Sequence, residues 1–72
     1  MNDLPDLIRL RRVALRLTQG QLADLLGWSQ SRVSRIEAGL REPDLDGIRD
    51  LAVALQVDPL TLAAAALAGG GE

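Results

Sequence analysis

Residues 18–39, TQGQLADLLGWSQSRVSRIEAG, decide the fold of this 72-residue chain. Thr18 followed three places later by Gln21 is a capping box, in which the hydroxyl takes a free backbone N–H and the amide reaches back, so a helix starts there. Leu22, Leu25 and Leu26 recur at i, i+3 and i+4 and give that helix an apolar stripe, while Ala23 is small enough to let another helix approach closely. Gly27 ends the helix, because glycine enters the left-handed conformation at little cost. Ser29 is a good N-cap for a second helix, in which Val33 and Ile36 point inward and which Gly39 closes. Its other faces carry Gln30, Ser31, Arg32, Ser34 and Arg35, which offer only amide, hydroxyl and guanidinium groups.

Two short helices with a tight turn between them match the helix-turn-helix motif, whose second helix lies in the major groove of duplex DNA with its N-terminal part at the bases. The five outer residues are then candidate base contacts. Gln30, at the first exposed position, carries an amide that can pair bidentately with adenine. Arg35 lies five residues further on, where its fork suits guanine O6 and N7, with a phosphate contact as the other reading. Ser31 and Ser34 can donate or accept but select little between bases. Arg32, one turn before Ile36, either reads a base or reaches a flanking phosphate.

Outward from this stretch the chain reads as all-α, with five helices and no strand. The first covers about residues 5–15, with Asp3 or Leu4 at its cap and Pro5 tolerated in the first turn. The second and third cover about 19–26 and 30–38. A fourth spans about 45–55, capped by Asp44 after Pro43, and a fifth runs from Asp58-Pro59 to about Leu67. Residues 1–68 form one domain, and 69–72 a glycine-rich flexible tail. The predicted core is Ile8, Leu15, Leu17, Leu22, Ala23, Leu26, Val33, Ile36, Leu45, Ile48, Leu51, Ala52, Leu55, Val57 and Leu60, with Trp28 at its edge. Ala63 to Ala66 are strongly helical and uncharged, and form either a helix tail leading into a linker or a flat dimer seam. Gly20 weakens the second helix by about 1 kcal/mol relative to alanine. At this length one core must bury roughly 60% of the unfolded chain's surface.

Composition narrows the function. There is no cysteine to form a disulfide or a thiolate metal site, and no apolar run reaches the roughly 18 residues of a membrane span. With no signal-peptide pattern either, the expected location is cytoplasmic. Phe and Tyr are absent and Trp28 is the only aromatic, so stacking platforms for single strands or RNA loops are largely excluded and duplex DNA is the better ligand class. Without His, Cys, Lys or Tyr there is no ordinary nucleophile and base pair, and no phosphate-binding glycine loop occurs. The chain therefore reads as a non-enzyme that needs no cofactor, metal or small-molecule ligand. Charge is the objection to DNA: the net charge is −2 and the pI about 4.9. Segregation softens it, since residues 7–41 hold seven arginines against Asp24 and Glu37, whereas residues 42–72 hold Arg49 against six carboxylates. Non-specific binding is then weak, and affinity must come from specific contacts and dimerisation.

The pieces Thr18-Gln19, Leu22-Ala23, Leu26-Gly27, Ser29-Gln30, Val33-Ser34-Arg35-Ile36-Glu37, Gly39, Pro43 and Leu51-Ala52-Val53-Ala54-Leu55 make residues 7 to about 62 resemble the lambda-repressor-like, XRE-type helix-turn-helix domain. The resemblance implies a compact five-helix fold with the motif at its second and third helices. It implies that Gln19, with Thr18 beside it, contacts a phosphate through side chain or backbone N–H, and that Gln19 braces Gln30. It further implies a partly buried structural ion pair between Arg12 and Glu37, and an Arg41 that lies on the phosphate backbone or near the minor groove. Arg9, Arg11 and Arg16 are weaker candidates that otherwise form a solvated face. Trp28 and Gln56 depart from the family pattern, the latter standing where a terminating glycine is common. The implied function is a sequence-specific regulator of transcription, acting by repression or autoregulation as a homodimer on a palindromic operator with half-sites about 34 Å apart. Phage repressors, restriction-modification controller proteins and antitoxins are all of this kind. The alternative is a protein-interaction module or antitoxin-type domain whose acidic last two helices meet a basic partner.

Overall fold

Asp3 starts the first helix: its carboxylate accepts the Asp6 backbone N–H at 3.1 Å, and Pro5 fills the first turn, where no N–H is needed. The computed structural model describes residues 3–69 and, among them, five helices and no strand: α1 (Leu4–Ala14), α2 (Gln19–Leu26), α3 (Gln30–Glu37), α4 (Leu45–Leu55) and α5 (Pro59–Gly69). The capping box is complete, with Thr18 Oγ1 accepting from Gln21 N–H at 3.0 Å and Gln21 Oε1 from Thr18 N–H at 2.9 Å. Ser29 and Asp44 cap α3 and α4 by the side chain alone, accepting the N–H groups of Arg32 and Gly47.

Helices α1 to α4 all stop by one device. One residue past α2 and α4, and two past α1 and α3, the chain holds a left-handed backbone, and the next N–H reaches back five residues: Leu17 to Arg12, Trp28 to Ala23, Leu40 to Arg35 and Val57 to Ala52. Glycine occupies this position at Gly27 (φ 71°) and Gly39 (φ 77°), but Arg16 (φ 62°) and Gln56 (φ 59°) fill it at the other two.

α2 and α3 pack on each other, α1 crosses α3, α4 and α5, and α4 lies against α2 and α5. Ile8, Leu22, Val33, Ile36, Leu51, Leu55 and Leu62 are sealed between them. The predicted core needs correction at both ends of the chain. Leu45 (65% exposed) heads α4, in a turn nothing covers, and Leu60 (75% exposed) points away from the Leu62 and Ala65 face of α5. Leu4, Leu62 and Ala65 are buried instead. Leu25 leaves the expected stripe as well, because α2 turns Leu22, Ala23 and Leu26 inward. Leu15, Leu17, Leu26, Trp28 and Val57 pack partly buried around this core. Ala65 is core and only Ala64 among Ala63 to Ala66 is exposed, so those four residues do not form a flat seam together. The expected tail overlaps α5 at Gly69, and residues 70–72 lie outside the described residues.

Candidate nucleic-acid interface

At about 100° per residue, burial of Val33, Ile36 and Glu37 sets the direction of every other α3 side chain. Ser31 and Arg35 point directly away from the core. Gln30 and Ser34 flank them on the side of α2, and Arg32 flanks them on the opposite side. Gln30, Ser31, Ser34 and Arg35 are all exposed, so the structure brings four of the five candidate base contacts onto one solvent face. Gln30 lies across α2 at Gly20, where an added Cβ would sit 3.4 Å from its Oε1. Gly20, a weak helix former, leaves that amide room.

Glu37 is the centre of the polar network beneath this face. Its side chain is 3% exposed, and its carboxylate accepts Arg12 Nε at 2.6 Å, Arg12 Nη2 at 3.0 Å and Gln19 Nε2 at 3.2 Å. Arg12 also donates Nη1 to the Leu17 carbonyl at 2.8 Å, tying α1 to the loop before α2. The hydrogen bond to Glu37 holds the Arg12 guanidinium above its ordinary range; burial opposes this, and the charge of Glu37 adds to it. The Gln19 side chain is thus drawn to Glu37 rather than bracing Gln30. Its backbone N–H, in the first turn of α2, has no helical partner, and neither does the Thr18 hydroxyl proton, since Thr18 Oγ1 serves as an acceptor. Both remain available to an anion.

Two arginines taken as weak surface candidates turn out to hold the fold. Arg11 donates Nε and Nη2 to the Leu55 carbonyl at 3.3 and 3.1 Å, closing the end of α4. Arg9 donates to the Glu37 carbonyl at 3.4 Å, at the end of α3, and pairs with Asp6. Sequence spacing carries no sign of these bonds, because Arg11 and Leu55 lie 44 residues apart. Arg16, Arg35, Arg41 and Arg49 make no hydrogen bond or ion pair among the described residues. Arg41 follows α3 on the loop to α4 and lines a cavity of about 240 Å³ with Asp3, Pro5, Glu42 and Ala65. That is smaller than the roughly 300 Å³ at which sites for drug-sized ligands begin.

Arg32 sits apart from the other α3 arginine. Its guanidinium carbon lies 3.7 Å from the centre of the Trp28 ring, and its Nε is buried without a hydrogen-bond partner. The Trp28 ring in turn approaches the first turn of α4: a Cβ on Gly47 would lie 3.6 Å from it, and 3.1 Å from Pro43 Cβ. The four-residue spacing from Trp28 to Arg32 was the sequence's one sign of this stack.

The helix-turn-helix family model matches residues 8–62. The chain is also similar to a solved structure, the restriction-modification controller protein C.AhdI from Aeromonas hydrophila, at 37% identity and a TM-score of 0.77. The match covers 82% of this chain and 86% of that one.

Proposed function

This chain belongs to the helix-turn-helix family, and from that premise we propose that it is a sequence-specific, double-stranded DNA-binding regulator of transcription that inserts α3 into the major groove. The observation that carries this reading is the outward line of Ser31 and Arg35 with Gln30 and Ser34 beside it, exposed on a helix whose other side is anchored in the core. Arg35 reads guanine, Gln30 reads adenine, and the serines adjust to base or backbone. Thr18, through its hydroxyl, and Gln19, through its backbone N–H, grip a phosphate at the start of α2, and Arg41 grips another. The similarity to a controller protein supports a regulatory role; the proposed role is non-catalytic, cytoplasmic, and exerted by repression or autoregulation.

A homodimer on a palindromic operator fits the remaining surface. Leu25 (63% exposed) and Val53 (79%) border a shallow groove between α2 and α4, and Leu60 and Leu67 stand out from α5. The acidic character of residues 42–72 favours the alternative, an interaction module for a basic protein partner. Selection of bound sites from random duplexes separates the two. The expected result is one enriched, two-fold symmetric sequence, with Arg35→Ala lowering affinity for it by about 1–3 kcal/mol and relaxing preference at one base pair of each half-site. No enrichment at low salt by folded protein would overturn the DNA reading in favour of a protein partner.

A further inference from the structure

Building on the proposed DNA reading, we infer that Arg32 is a phosphate clamp held in position by Trp28, and not a reader of bases. The major groove of B-DNA is about 12 Å wide, about the diameter of a helix with its side chains. Residues on the outward line of an inserted helix therefore meet base edges, as does Gln30 at the helix N-terminus, the end that approaches the bases, whereas residues a quarter turn to either side along the helix body meet the groove walls, which are phosphates. Arg32 is on such a flank. It shares the edge of the buried face with Ile36, one turn on, and its guanidinium lies over Trp28, whose ring meets Gly47 in the first turn of α4.

The stack sharpens the assignment. Trp28 is itself partly buried against the core and meets the Gly47 turn, so the guanidinium rests on a platform fixed at two places. Closure of Nε leaves only the two Nη groups to donate, and neither is buried. An arginine fork held in this way loses little freedom when it takes a phosphate oxygen, and a phosphate contact carries affinity without sequence information. Trp28, the one aromatic residue of the chain, is on this view a positioning residue.

The test compares full-length wild type, Arg32→Ala, Trp28→Phe and Trp28→Leu on two probes, the duplex recovered by selection and a scrambled duplex of equal length. Arg32→Ala is expected to weaken both by about tenfold or more and to lower the slope of log affinity against log salt by about one, with base preference unchanged. Trp28→Leu keeps the charge, so it should lose about two- to fivefold in affinity with the slope intact, and Trp28→Phe, which keeps an aromatic face, should restore most of that loss. Arg32→Ala should also change Trp28 emission in the free protein, which needs no DNA, and thermal melts exclude unfolding as the cause of any loss. A change of base preference at one position in Arg32→Ala, or equal binding by the Phe and Leu variants, overturns the clamp while the DNA reading stands. Failure of wild type to bind either duplex overturns both.

Discussion

Glu37 shows how a charged residue on a surface helix becomes structural. Two donors on Arg12 and one on Gln19 surround a carboxylate that solvent scarcely reaches. Removing Arg12 leaves that carboxylate buried and unpaired, so Arg12→Ala is expected to cost about 3–5 kcal/mol in urea unfolding. Exchanging both residues for apolar ones of similar volume should cost far less, and a double-mutant cycle measures the difference. The pH dependence follows from the sign of the shift. A cation whose folded value is raised contributes stability that is present below its unfolded value and lost only as pH rises through the folded one. For a guanidinium this lies beyond ordinary working pH, so the contribution of Arg12 should be flat through neutral and mildly alkaline conditions. Any loss of DNA binding in Arg12→Ala reports on folding, which is why stability has to be measured beside affinity.

Helix ends are where local chemistry and chain path meet. Each of α1 to α4 terminates on a left-handed residue, and the turn it makes aims the following helix. The turn at Gly27 sets α3 against α2, and the same backbone is imposed on Gln56 between α4 and α5. A side chain in that conformation costs roughly 1–2 kcal/mol, part of which glycine returns as unfolded-state entropy. Gln56→Gly is therefore expected to raise stability by about 0.5–1 kcal/mol, and Gly27→Ala to lower it by about 1 kcal/mol, read as opposite shifts of the urea midpoint at constant slope. A cap that tolerates glutamine but gains from glycine would establish that local strain, and not side-chain contact, governs this position.

The whole molecule divides its arginines between two tasks. Of the seven in residues 7–41, Arg9, Arg11 and Arg12 bind carbonyls or carboxylates of their own chain, which leaves Arg16, Arg32, Arg35 and Arg41 for a ligand. With each phosphate neutralised contributing about 0.9, the salt slope should be no steeper than about four per chain. A titration of binding across a salt series checks this, and a steeper slope would mean that the first-helix arginines leave their carbonyls on binding. The acidic balance of the chain agrees with a protein that relies on few, specific contacts.

Much of this was legible in the residues because helix caps and terminating glycines act over three to five positions. The capping box at Thr18, the turn at Gly27, the inward pair Val33 and Ile36 and the outward Ser31 and Arg35 all follow from such spacings. The burial of Leu4, Leu62 and Ala65, the exposure of Leu25, Leu45 and Leu60, the carbonyl bonds of Arg9 and Arg11, and the seating of Trp28 against Gly47 depend on which elements meet. Those partners lie up to 44 residues apart, and an arginine's neighbours along the chain say nothing of which distant carbonyl it will find. Local periodicity could mark the outward face of α3, but only the packing of α1, α4 and α5 around it sorted the arginines that brace the fold from those that make no bond within it.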